Sequence, residues 1–333
     1  MKRMFVTAGA LLMAAGVLAA PGATAETEPT DAVRDAAPTA QIVEQRRLPD
    51  GTTETVVRTP IVVRPHSGHG GEHGHGTHTT IAAPMTPPCV NCYVTSVTPD
   101  LTYRDGSSAN YDTGVMLHHA VLFDRSKKDA TCGDSRTFYD LTGRRIFASG
   151  NERTAGTLPK GYGVKLGRTP LTWGVVELMN MTNEPQTVFF DMTIRHVPAS
   201  RSGMAEVTPV WLDAANCTGR SEHAAPAGES TTTWRWQSTI SGTVKAVAGH
   251  LHDGGRSIAL SNTSTGRHVC TSEAGYGTDS AYMGHLESMS VCTGNRLGTV
   301  RKGQVLQLNS VYDIHHAAGD VMSIMMAFVD LDG

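Results

Sequence analysis

The chain has 333 residues, with 28 Lys and Arg against 31 Asp and Glu, for a formal net charge of −3. That balance leaves no basic stripe and argues against a nucleic-acid partner. Beyond the N-terminus no apolar run reaches the roughly 20 residues that a membrane span needs, so no membrane span is expected.

The first element is a targeting segment. Lys2 and Arg3 precede FVTAGALLMAAGVLAA (5–20), and Ala23-Thr24-Ala25 supplies an A-x-A cleavage site. This pattern predicts a secretory signal peptide over 1–25 and an exported, extracellular chain. Its removal takes two cations and no acid, so the mature chain is more acidic still. Residues 26–84 read as a flexible leader, rich in Thr, Ala, Pro and charge with little periodicity. Within it HSGHGGEHGHGTH (66–78) sets His66, His69, His73, His75 and His78 among glycines. Gly-rich backbone has no fixed geometry, so the tract reads either as an accessory metal tether, for copper or zinc, or as a solvated linker.

Six cysteines, an even number in an exported chain, predict three disulfides. Cys270 and Cys292 share one late segment and are expected to pair. Cys89, Cys92, Cys132 and Cys217 allow three pairings, which the sequence leaves open. CVNC (89–92) is followed by no second CxxC, which argues against a zinc or redox role.

From Cys89 onward, short runs rich in β-branched and aromatic residues follow one another. They include TVFFDMTIRHV (187–197), STTTWRWQSTI (230–240), GTVKAVAGHLH (242–252), QVLQLNSVYDI (304–314) and VMSIMMAFVDL (321–331). Turn signals such as DGSS, LPKGYG, TNEPQ and HDGG separate them, and amphipathic helices are missing. The pattern predicts an all-β chain of sandwich or barrel type. Roughly 245 residues are too many for one typical sandwich. Two β-sandwich domains in tandem are expected, over 85–200 and 201–333, joined near 197–209.

The histidines outside the Gly-rich tract carry the chemistry. His250 and His252 stand at i and i+2 of one strand, so both face one side and can share a metal ion. The apolar Val247, Ala248 and Leu251 favour a partly buried strand over an exposed one, and HDGG ends that strand at a rim. His118 and His119 in GVMLHHAVLF (114–123) are adjacent, and an ideal strand would send them to opposite faces. For both to serve one ion the strand must bulge; otherwise one of them is a core histidine. His196 closes the FFDMTIRH strand and reads as structural or as a third ligand. Met322 opens an apolar strand, where methionine is ordinarily core filler. Its thioether is also a soft ligand that suits copper(I). His315 and His316 are ligands or turn residues.

In this order, MLHHAVLF, an isolated His196, HLH and DVMSIMM resemble the ascorbate-dependent copper type II monooxygenases, the peptidylglycine α-hydroxylating monooxygenase-like family. AGHLHDGG, CTSEAGYG (270–277) and YMGHLESMSVC (282–292), before the late VM strand, are closer still to the stress up-regulated nodulin-like family. The resemblance spans roughly residues 90–330. It implies two jelly-roll-like β-sandwiches with one copper ion each. It implies His118, His119 and His196 as ligands in the first, and His250, His252 and Met322 in the second. It further implies dioxygen activation at the second copper, with ascorbate or another reductant as electron source. Asp253, Glu177 and Asp191 are candidates to orient these imidazoles. The residues that anchor substrate in the type members have no counterpart here, so the resemblance names no substrate.

The function expected is thus a secreted copper-dependent monooxygenase-like protein that hydroxylates a small molecule or peptide. The alternative is a non-catalytic extracellular copper-binding or copper-buffering module. A third reading is a disulfide-stapled surface domain whose histidines are incidental. Hydrolase and nucleotide chemistry find no support, since neither a G-x-S-x-G elbow nor a phosphate-binding glycine pattern occurs.

Overall fold

The computed structural model describes residues 39–65, 78–132, 142–215, 217–218, 221–277 and 280–331. The expected signal peptide lies outside the described residues, as do His66, His69, His73 and His75. The described chain is β throughout, with a single short 3-10 turn at Ser280–Tyr282.

Residues 41–206 build two sheets. One runs, in order of pairing, Gln41–Arg47, Thr53–Val63, Gln186–Pro198, Cys92–Thr102, Tyr162–Leu166 and Ala205–Glu206, with Gly156–Thr157 also on Cys92–Thr102. The other runs His78–Pro84, Thr172–Asn180, Val115–Asp124 and Arg144–Gly150. Their inner faces meet in one apolar core, which includes Ile61, Leu101, Leu117, Leu178, Phe190 and Ile194. Residues 208–331 build a second pair. Thr208–Asp213, Ala318–Leu331, Gly242–Leu251 and Val291–Thr293 form one sheet, joined by Glu222–Ala225 and Thr299–Val300. Gly228–Gln237, Val305–Ile314, Gly255–Asn262, Arg267–Tyr276 and Leu286–Met289 form the other. Val247, Leu251, Ile258, Leu308 and Met325 lie in the core between them.

The stretch expected as a flexible leader departs from that reading. Thr53–Val63 is an inner strand, hydrogen-bonded to Gln41–Arg47 on one side and Gln186–Pro198 on the other. Its Val57, Ile61 and Val63 are at most 1% exposed. The reason is a period of two: Val57, Thr59, Ile61 and Val63 turn inward while Arg58, Pro60 and Val62 turn outward. Interleaved Thr, Arg and Pro hide that alternation in the composition. The first sandwich therefore starts at Gln41, not at residue 85.

The Ala318–Leu331 strand is apolar on both faces. Val321, Met325, Ala327 and Val329 enter the second core. Met322, Ile324 and Met326 turn the other way and cluster with Trp211, against Val121 and Ala148 of the first sandwich. A strand buried on both faces reads as a continuous apolar run. The same seam holds a buried ion pair: Asp129 accepts two hydrogen bonds of 2.9 Å from the Arg145 guanidinium. That guanidinium lies 4.7 Å over the Trp211 ring of the other sandwich. Burial pushes the Asp129 carboxyl up, but the Arg145 hydrogen bonds and charge outweigh it and hold it below the usual range.

The cysteines join as Cys89–Cys92, Cys132–Cys217 and Cys270–Cys292, and none is free. Cys132–Cys217 ties the two sandwiches together beside the Arg145 pair. Disulfides of this kind are typical of oxidising compartments. No described helix is long and apolar enough to cross a membrane.

Candidate metal centre

The two histidine pairs, expected to serve one site in each sandwich, meet in a single cluster at the seam. Val115–Asp124 carries His118 and His119, and its pairing with Thr172–Asn180 shifts register between Leu117 and His119. A bulge leaves one extra residue on the bulged strand and re-aims the side chains around it. The two adjacent rings thereby come together, with centroids 4.1 Å apart. His250 is the penultimate residue of Gly242–Leu251, opposite Ile324. His252 follows as that strand enters its turn, where Gly254 takes φ +84°. The Tyr312 hydroxyl accepts the His252 amide at 2.9 Å and donates to the Met322 carbonyl, which fixes the turn against the late strand.

The rings from opposite sandwiches close on one another. Centroids are 5.1 Å apart for His119 and His252, 5.2 Å for His118 and His252, and 5.3 Å for His119 and His250. One nitrogen each from His118, His119 and His252 fall within 4.8 Å of one another. His119 Nε2 lies 2.9 Å from His252 Nε2. Two imidazole nitrogens bound to one ion at about 2.0–2.1 Å stand about 3 Å apart.

Two glutamates orient the rings. Glu177 Oε2 lies 3.0 Å from His119 Nδ1 and 3.5 Å from His118 Nδ1. Glu152 Oε1 lies 3.1 Å from His250 Nδ1 and accepts the Gly150 amide at 3.0 Å. A carboxylate at Nδ1 draws the ring proton there and leaves the Nε2 lone pair for a metal. His250 Nε2 is buried and has no hydrogen-bond partner among the described residues. A buried polar atom left so is costly unless something else binds it. Burial, and then the neighbouring imidazoles, push the His119 pKa down to about 3 and that of His252 well below its ordinary value. Burial pushes Glu152 up, yet the charge and hydrogen bond of His250 hold its carboxyl below the usual range. Clustered imidazoles backed by carboxylates are the donor set of a metal site. Gly150 completes the fit: a Cβ there would stand 2.6 Å from His250 Cε1 and 2.5 Å from Glu152 Oε2.

A cavity of about 380 Å³ opens beside the cluster, lined by His118, His250 and His252 together with Met116, Met179 and Asn151. Met116 and Met179 face each other across neighbouring strands.

Other expected residues go elsewhere. His196 lies in the other sheet of the first sandwich, its Nε2 3.0 Å from Thr55 Oγ1, and burial lowers its pKa. It is a core histidine with its own partner and stands outside the cluster. Met322 lies on the same face as Ile324, next to the His250 strand, but packs with Trp211 and Met326 and does not line the cavity. Asp253 receives His285 Nδ1 at 2.6 Å, and Asp191 binds Arg58 at 2.6 Å, so neither orients a clustered ring. Of the second-layer candidates only Glu177 does. Glu152 comes from a turn with no pattern around it, so no local signal in the sequence marks it. Met116 stands two residues before His118 and could have been found from that spacing. His78 begins the His78–Pro84 strand. His315 is exposed and His316 lines the cavity.

Residues 171–330 match the stress up-regulated Nod 19 family. The chain is 29% identical over 240 residues to a protein named Probable copper-dependent oxygenase M1 from Phoma sp., a stretch covering 69% of this chain and 59% of that protein. It is 28% identical over 224 residues to Probable copper-dependent oxygenase clz3 from Cochliobolus lunatus, covering 64% of this chain and 69% of the relative. The chain thus spans less than two thirds of the length of the first of these relatives. Residues 171–330 thus resemble the stress up-regulated Nod 19 family, and the chain as a whole is similar to proteins named as probable copper-dependent oxygenases.

Proposed function

We propose that this is an exported copper-dependent oxygenase-like protein that hydroxylates a small molecule or peptide with dioxygen and an external reductant such as ascorbate. His118, His119, His250 and His252 hold the copper between two sandwich domains. One observation carries the reading: imidazoles from both sandwiches cluster, with one nitrogen each from His118, His119 and His252 within 4.8 Å of one another, and beside them the buried Nε2 of His250 has no hydrogen-bond partner among the described residues. The relatives named as copper-dependent oxygenases support the choice of metal, and imidazole donors suit it.

Copper bound there would supply the one-electron and oxygen chemistry that no side chain possesses. The protein's own part is positional. Glu177 and Glu152 fix the ring tautomers. The bulge at His118 and the turn at Gly254 bring ligands from separate strands to one place. The adjoining cavity holds the substrate against them.

The test is oxygen uptake with ascorbate and copper by the full chain and by His250→Ala, alongside copper(I) titration of both. Uptake in the wild type that falls at least about tenfold in the variant, together with weaker copper binding, is expected. Copper binding without any uptake above free copper would instead make the protein a copper-binding or copper-buffering module. Absence of copper binding ends both readings.

A further inference from the structure

The cavity beside the histidines, which the copper reading gives to the substrate, has a lining that limits what it can admit. Its lining residues include no Lys or Arg. Its acidic groups are Glu152, which is engaged with His250, Asp253, which is engaged with His285, and Asp320 at the exposed rim. An anion entering this space finds no Lys or Arg to pair with and pays for its own desolvation. Apolar walls come from Met116, Met179, Leu251 and Leu286.

Against this background stands Asn151. The residue is 8% exposed and lines the cavity. Both ends of its carboxamide, Nδ2 and Oδ1, are buried without a hydrogen-bond partner among the described residues. A carboxamide offers two donors and an acceptor side by side. Buried polar groups of this kind are rarely left unpaired in a folded protein, and one at a cavity wall finds its partner in what the cavity binds. It directly precedes Glu152, the residue that orients His250, so a group held by Asn151 would stand close to the proposed metal.

We propose that the cavity selects a neutral molecule with an apolar body and a donor–acceptor edge, of which a primary carboxamide is the simplest, and that Asn151 anchors that edge. This rests on the copper-oxygenase reading for its purpose, but the binding is a property of the chain itself.

Benzamide and benzoate share one ring and differ in charge at the anchoring group, which makes them suitable probes. Their binding is measured by ligand-observed NMR to the full chain, both metal-free and loaded anaerobically with copper(I). Benzamide is expected to bind in the millimolar range and benzoate about tenfold more weakly or worse. Asn151→Leu is expected to weaken benzamide about tenfold, because the amide edge then lies against an apolar surface. Asn151→Asp keeps the side-chain shape while losing the donors, and provides the same comparison should Asn151→Leu fail to fold. Benzoate binding as tightly as benzamide, benzamide indifferent to both substitutions, or no benzamide binding would each overturn the proposal. Copper titration of the same samples separates the two readings. A wild type that holds benzamide through Asn151 yet binds no copper sinks only the metal assignment. One that binds copper but ignores the amide sinks only this inference.

Discussion

Glu152 and Gly150 illustrate how much of the site is set by single residues that carry no ligand atom. Glu152 holds His250 Nδ1 and is itself held by the Gly150 amide. Removing the charge while keeping the shape, as in Glu152→Gln, should lower copper affinity about 10- to 100-fold. Competition titration with a copper(I) chelator checks this, and an unchanged affinity would mean that the glutamate has no part in presenting the ring. Gly150 acts through its missing side chain. Its backbone is ordinary extended strand, so Gly150→Ala costs little in conformation but drives a methyl into His250 and Glu152. The expected result is weaker copper binding with the fold kept, read by titration beside a circular dichroism spectrum.

At the scale of the element, the late strand Ala318–Leu331 decides between two roles for methionine. Val321 and Met325 fill the second core, and Met322 and Met326 fill the seam. As seam filler, Met322 should tolerate Leu at a cost below about 1.5 kcal/mol and lose about 2–5 kcal/mol as Ala. The copper(I) X-ray absorption spectrum should be unaltered by Met322→Leu. Loss of a sulfur scatterer in that variant would restore the thioether to the ligand set. The Val115–Asp124 strand makes a different point. Its bulge lets two successive side chains serve one site, which a regular strand forbids.

For the whole molecule, the cluster exists only while the two sandwiches stay docked, since each contributes a pair of histidines. The docking rests on the Met322–Met326 cluster, the Cys132–Cys217 disulfide, and Asp129 with Arg145 over Trp211. Asp129 is almost fully buried, and removing one partner of such a pair costs about 3–5 kcal/mol. Asp129→Asn should therefore lower the melting temperature by several degrees. The folded carboxyl sits below its ordinary value, so its contribution is present above the unfolded pKa of about 3.9 and is lost as pH falls through the folded pKa. The wild type should accordingly lose stability below about pH 4 more steeply than Asp129→Asn, as measured by urea unfolding across pH. Parallel acid limbs would remove Asp129 from the account. By itself the sequence determined the all-β class, because β-branched runs and turn signals are local. It also marked His250 and His252 as a pair, and their rings do lie 5.7 Å apart, although the strand ends at Leu251 and His252 sits in the turn after it. Pairing Cys132 with Cys217, gathering both histidine pairs into one cluster, sending His196 to Thr55 and turning Met322 into the seam were decided only by the tertiary structure. Each of these depends on which strands pack against which across more than fifty residues of chain, and no local period encodes that.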